Sequence, residues 1–495
     1  MWLWTMLWGC RPNVNWNQCD SERDSRDASV QIFGIENSDG LGQSIVVGDI
    51  DGDKQDDLVV GVPSFDPAPS QSNAGRVLVF LGTSLSDGAT LSASEADLII
   101  DGTKEMDGFG SSLGMSDWDD DGNMDLWLGA HQAEGNGQDS GVIYLFSSAT
   151  LVSKLGKESM IAADADVQFH GEAAYDYAGF SMSIAGDVDG DNIEDWLIGA
   201  YQADTEEKDR GKAYLLLSSN RDRWSGTVNL SDASTIFVGE AVNDYAGYSV
   251  SGGVDIDRDG LDDILIGSGN HDGYEDDSGV VYLFLGASIQ SGTVSMGDAD
   301  LKLFGEMAGD WAGRTVLAIP RLDRNKRGDV AVSASWYDGD SNNVGALYLL
   351  KGSTLWNAID DGKDSIALSQ SDLKIVGDSQ EMFFGQTLAV GNLDGDRYSD
   401  LLIGSPLYDD GSNADAGVIH VLLGETLKDM WNTTLGSGEL SHSIVGATAY
   451  DSLGISIAIG DLDGDRRGDL VLGTPYADDG DLNAGGVSIF FECDN

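Results

Sequence analysis

A nine-residue acidic string returns seven times along the chain, and a repeat that regular constrains the fold more than any other feature. The copies are Asp49–Asp57 (DIDGDKQDD), Asp117–Asp125 (DWDDDGNMD), Asp187–Asp195 (DVDGDNIED), Asp255–Asp263 (DIDRDGLDD), Arg321–Asp329 (RLDRNKRGD), Asn392–Asp400 (NLDGDRYSD) and Asp461–Asp469 (DLDGDRRGD). Their first residues lie 66 to 71 positions apart, so seven such units consume almost all of the 495 residues.

Around each string the pattern repeats: an alternating apolar segment, the acidic loop, a short apolar run, a polar loop, and a third segment opening on Gly75, Gly141, Gly211, Gly279, Gly345, Gly417 or Gly486. β-Branched and aromatic residues bounded by Gly and Asp read as short strands. A fourth strand follows six of the third strands, beginning at Leu98, Val167, Thr235, Leu301, Leu373 and His442. The missing seventh stands at the other end of the chain, where Val30–Gly34 (VQIFG) precedes the first acidic loop as its counterparts precede theirs. The expectation is an all-β, seven-bladed β-propeller of four-stranded blades over residues 29–495, the last blade closed by the N-terminal strand. Residues 1–28 read as a leader remnant or linker. Cys19 and Cys493 flank the two closing strands. A disulfide between them would clamp the ring, while a reducing compartment would leave two thiols.

The charge excludes one class of partner. With 85 Asp plus Glu against 27 Lys plus Arg, the net charge of -58 rules out nucleic-acid binding through a basic surface. A 41% hydrophobic content with 12 Trp, 15 Tyr and 14 Phe still suffices for a core. No apolar run reaches the roughly 18 to 20 residues of a membrane span. Leu7-Trp8-Gly9-Cys10 resembles a bacterial lipoprotein cleavage site, so Cys10 is either a lipid anchor or part of an apolar leader remnant.

Within each loop, oxygens at positions one, three and five converge, the carbonyl at seven adds a ligand, and Asp at nine can bind through both oxygens. Such hard-oxygen ligation suits Ca²⁺. The expected ligands are Asp49, Asp51, Asp53 and Asp57; Asp117, Asp119, Asp121 and Asp125; Asp187, Asp189, Asp191 and Asp195; Asp255, Asp257, Asp259 and Asp263; Asn392, Asp394, Asp396 and Asp400; and Asp461, Asp463, Asp465 and Asp469. The fifth loop departs, with Arg321 at position one and Asn325 at position five. There the guanidinium is expected to replace the cation and pair with Asp323 and Asp329. About six structural Ca²⁺ ions follow, all on one face.

These units resemble the FG-GAP repeat of integrin alpha-subunit propellers. The "FG" is legible at Phe109-Gly110 and Phe384-Gly385, and the "GAP" at Gly61-Val62-Pro63, Gly404-Ser405-Pro406 and Gly473-Thr474-Pro475. The resemblance implies a calcium-bound, secreted or cell-surface propeller that acts in adhesion or ligand binding. FG-GAP units also occur in bacterial surface proteins and attached to a phospholipase. In integrin propellers partners bind opposite most of the calcium loops. Tyr177, Tyr245 and Trp311 occupy equivalent places there on consecutive units and are the candidate ligand-binding residues for a protein or glycan; the other reading of them is packing between blades. The chain is expected to be monomeric.

Arg327-Gly328-Asp329 and Arg467-Gly468-Asp469 resemble adhesive motifs, but their Asp is loop position nine and so committed to the loop. Five His, with neither HExxH nor GxSxG present, lead to the expectation that the chain is not an enzyme. The alternatives are an architectural surface component and a polysaccharide- or phospholipid-acting hydrolase.

Overall fold

The computed structural model describes residues 22–491 apart from 157–158, 205–207, 324, 340, 428–429 and 479–482. Cys10, Cys19 and Cys493 lie outside the described residues, as do the lipid-anchor and disulfide expectations that rest on them.

Seven sheets form the blades of the ring. In blade 1, Ser44–Gly48, Asp57–Val62, Arg76–Phe80 and Leu98–Asp101 pair antiparallel in sequence order. Every second strand, from Asp57–Val62 to Asp469–Thr474, is buried along its whole length, because neighbouring blades cover both faces. Fourth strands such as Val167–His170 alternate buried and half-buried residues. The first strands stand nearest the axis and stay half-exposed, as Thr387–Gly391 does throughout. The core is therefore a series of seams between blades. At one seam the fully buried Trp127 and Trp196 stack at 4.3 Å, and both indole N–H groups reach Ser116 Oγ, at 3.3 and 2.7 Å.

Closure follows the sequence expectation. Val30–Phe33 pairs antiparallel with Gly486–Phe490 in blade 7, Val30 opposite Ile489, and Ser29 Oγ accepts the Phe491 N–H at 3.2 Å. Two details differ. Each sheet has five strands rather than four. The fifth is a short piece of the following unit's connection between third and fourth strands, laid parallel to the fourth strand: Met160–Ile161 on blade 1, Gly226–Asn229 on blade 2, Thr90–Ser92 on blade 7. Blade 6 takes its fifth strand, Glu22–Asp24, from the N-terminal segment. Each blade is thus stitched to the next one along the chain.

The second difference is a one-residue shift in the last unit. The glycine opening each third strand has a positive φ, and a Cβ on it would meet the neighbouring loop's backbone, as at Gly75, 2.2 Å from the Phe109 carbonyl oxygen. In unit 7 the residue with φ +82° and the same clash is Gly485, 2.4 Å from Leu41 N, whereas Gly486 already lies in the strand.

Ile32 is fully buried in the closing strand and Gln31 is half-exposed beside it. Ile32→Ala should cost about 2 to 5 kcal/mol, read as a lower denaturant midpoint. Gln31→Ala should move the midpoint little. A wild-type midpoint for Ile32→Ala would mean the ring does not depend on this strand.

Candidate functional site

The acidic loops join first and second strands, so all of them reach the same end of the ring. Carboxylate oxygens converge to within 4.8 Å of one another in five sets: Asp49, Asp51 and Asp53; Asp117, Asp119 and Asp125; Asp187, Asp189 and Asp195; Asp255, Asp257 and Asp259; and Asp461, Asp463 and Asp465. The sixth loop has only three carboxylates, and its Asn392 amide donates to the Asp396 carbonyl at 2.9 Å. Backbone N–H groups shape the loops: Asp49 accepts from Gly52 at 2.7 Å and Lys54 at 2.9 Å. Burial, then the neighbouring Asp53 charge, raises the pKa of Asp51. A divalent cation among these oxygens would relieve that strain, so the donor set fits a hard cation.

Position nine has a second task. Asp57 Oδ2 accepts the Ile50 N–H at 2.9 Å, and its Oδ1 accepts the Gly82 N–H at 3.0 Å. The same pair of bonds is made by Asp125, Asp195, Asp263, Asp329 and Asp400. Both oxygens are therefore engaged before any cation is considered, leaving each one further lone pair. Asp329 and Asp469 are buried, so neither Arg-Gly-Asp string presents its carboxylate.

The fifth loop corrects one expectation. Arg321 pairs with neither Asp323 nor Asp329, whose oxygens are occupied by the N–H groups of Asn325, Leu322 and Gly352. Arg321 instead lines a pocket with Gly395, Arg397 and Tyr398 of the blade 6 loop.

At the opposite end, Tyr177, Tyr245 and Trp311 all sit at φ 54–55° and half-buried, each donating its N–H back to the preceding polar loop, at Asp139, Asp209 and Asp277. Phe383, at φ 51° and bonded to Asn343, is a fourth member that the sequence reading passed over in favour of Phe384. The rings form one band. Tyr201 lies 5.9 Å from both Tyr177 and Tyr245; His131 and Tyr248 flank Phe180 at 5.4 and 4.9 Å. Arg314 bridges Tyr248 and Trp311 at 4.8 and 4.9 Å, and Trp336 links Trp311 to Phe383 at 4.7 and 5.1 Å. His131 Nδ1 is 2.8 Å from Ser111 Oγ, and burial pushes its pKa down to about 4.

Beneath the band lies a ring of buried carboxylates. Asp176, Asp244 and Asp310 accept the N–H three residues back at 3.0, 2.7 and 3.1 Å. Burial raises Asp176 and Asp244 to about 6 and Asp310 to about 7.

The ring and its repeated loops define a seven-bladed β-propeller that resembles the FG-GAP propellers of integrin alpha subunits. The FG-GAP repeat model matches residues 41–80, 246–284, 384–422 and 453–490. Phosphatidylinositol-glycan-specific phospholipase D of Dictyostelium discoideum is 24% identical over 94% of this chain and 44% of its own length. The Homo sapiens protein of that name is 26% identical over 74% of this chain and 43% of its own. Integrin alpha-PS2 of Drosophila melanogaster is 32% identical over 31% of this chain and 11% of its own. The chain spans less than half the length of each of these relatives.

The expectation that the chain is not an enzyme is overturned by these comparisons, since a relative aligned along 94% of it is named for a phospholipase activity. That expectation rested on missing motifs, and missing motifs exclude only the chemistries they encode.

An Asp pKa of about 7 in the folded state, against about 3.9 unfolded, means the fold holds a proton that the unfolded chain releases. Stability from this group is present below about pH 4 and is lost as pH rises toward 7. Asp310→Asn keeps an oxygen for the Met307 N–H, so it should flatten the fall in unfolding free energy between those limits relative to wild type. An unchanged slope would remove Asp310 from the account.

Proposed function

We propose that this chain is a calcium-stabilised recognition propeller, secreted or held at a cell surface, that binds a protein or glycan through the aromatic band opposite its acidic loops. The single observation that carries this reading is the band itself: half-buried aromatic side chains running from His131 to Phe383, with Arg314 joining Tyr248 to Trp311. Packing between blades needs buried rings, and the seams supply those separately. Large amphipathic rings on a rigid scaffold suit recognition because they offer contact area at little cost in conformational entropy. No helix among the described residues is long and apolar enough to cross a membrane. The test is a glycan panel and immobilised cell-surface proteins probed with wild type, Trp311→Ala and Tyr201→Ala. Loss of a ligand in both variants with the melting temperature retained supports the reading, and no ligand for a folded, calcium-loaded protein removes it.

Calcium in six loops is the second element. The ligands are the six sets named from the sequence, with position nine serving as latch and ligand together. Chelation should lower the melting temperature, because carboxylates left without a cation repel one another. In a calcium titration, Asp257→Ala should remove one site of six, whereas Asp323→Ala in the fifth loop should leave the count unchanged.

A hydrolytic reading stands beside recognition. It is favoured by the alignment to a phosphatidylinositol-glycan-specific phospholipase D along nearly the whole chain. His131, neutral at pH 7 and hydrogen-bonded to Ser111 at the end of the band, is the group to substitute first. Release of a glycan-anchored protein from membranes by wild type but not by His131→Ala would favour hydrolysis, and equal release by both would exclude His131.

A further inference from the structure

The acidic face is electrically lopsided. The loops of blades 1 to 4 carry 20 acids and only Lys54 and Arg258 as bases, whereas those of blades 5 to 7 carry 9 acids and 7 bases. The imbalance centres on the loop that lost its ligand pattern. Arg321 takes position one there, and its carbonyl accepts the Ser399 N–H of the next loop at 2.7 Å, tying it to blade 6.

Between these two blades Arg321, Arg397, Tyr398 and Gly395 line a pocket of about 720 Å³, together with Asp396 and Glu425. The Arg321 Nε is buried and has no acceptor among the described residues. Neither Arg321 nor Arg397 forms an ion pair among the described residues, in a chain holding 85 acids. Arg327 in the same loop is committed by contrast: its guanidinium donates to the Ile256 carbonyl and lies over Trp356 at 5.3 Å. A buried donor without an acceptor is costly, and arginines are rarely left so unless something else occupies them. Of the two carboxylates of the pocket, Asp396 has its Oδ1 on the Tyr398 N–H, 2.6 Å away.

We propose that this pocket binds a phosphate ester, with the guanidiniums of Arg321 and Arg397 on its oxyanion. Two planar forks of N–H donors match a tetrahedral oxyanion carrying more than one acceptor oxygen, and a guanidinium is weakly hydrated and always charged. Tyr398 also lines the pocket, beside the space the remainder of the ester would take. The site lies at the opposite end of the ring from the aromatic band, so it stands or falls independently of that reading.

The experiment uses the full calcium-loaded chain with two probes: soluble glycerol phosphate, followed by calorimetry, and phosphatidylcholine vesicles with or without phosphatidylinositol, followed by flotation. Arg321→Gln and Arg397→Gln should each weaken binding about tenfold, as expected for a lost charged hydrogen bond. Arg466→Gln, on the blade 7 loop and outside the pocket, should leave it unchanged. Arg397 is exposed, so its variant keeps the wild-type melting temperature and guards against a folding artefact. Glycerol phosphate bound and lost with the arginines identifies a free ester. Binding only to phosphatidylinositol vesicles, lost with the same arginines, identifies a lipid headgroup. Failure of both probes, or binding indifferent to both substitutions, overturns the proposal.

Discussion

Every blade turns on one buried carboxylate, the aspartate that opens its second strand. In six blades its two oxygens hold the N–H at position two of its own acidic loop and an N–H just past the third strand, at 2.7 to 3.0 Å. In the seventh, Asp469 makes the first of these bonds, to Leu462. A hairpin loop is thereby fastened to the chain leaving the third strand at the same end of the sheet. Burial raises the pKa of these groups to about 7 at Asp57 and about 8 at Asp263. A neighbouring divalent charge would return them to the ionised form, so latch and metal ligation reinforce one another. The fifth blade separates the two roles. Its ligand positions hold Arg321 and Asn325, yet Asp329 keeps both backbone bonds. The backbone role of this aspartate therefore does not depend on the acidic ligand pattern of its loop.

This explains what could and could not be read from the sequence. Blade number, ring closure and the ends of the acidic loops were legible because the latch fixes aspartate at a constant spacing from the apolar run that follows. The fifth strands were not. Segments as short as Met160–Ile161 carry no alternation of their own and are strands only because a neighbouring blade's edge accepts them. The shift from Gly486 to Gly485 was hidden for a related reason: two adjacent glycines satisfy the pattern equally, and only the approach of Leu41 decides which must have the positive φ.

The candidate site was legible in part. Tyr177, Tyr245 and Trp311 stand at equivalent repeat positions, so alignment of the units finds them. Tyr201 and Trp336 come from a different loop of the repeat and join them only in space. Arg321 was misplaced because a charge replacing a cation was expected to adopt the cation's partners, and those oxygens were already held by backbone N–H groups and the Asn325 amide.

A ring of equal units makes differences between units the source of specificity. The position filled by Tyr177, Tyr245, Trp311 and Phe383 is Gly108 on the unit before and Ser452 on the unit after, with the same N–H bond back to the polar loop. The backbone is conserved across these units while the side chain changes, so the band has two ends and covers only part of the face. The other face is divided at different blades, acidic over blades 1 to 4 and nearly balanced over blades 5 to 7. Bound divalent cations would turn that division into one of sign, since a fixed charge added to each complete loop leaves blades 1 to 4 negative and carries the remainder past neutrality. A closed propeller of this kind can therefore present two directional surfaces on one rigid frame, each placed by substitutions that leave the latch and the seams untouched.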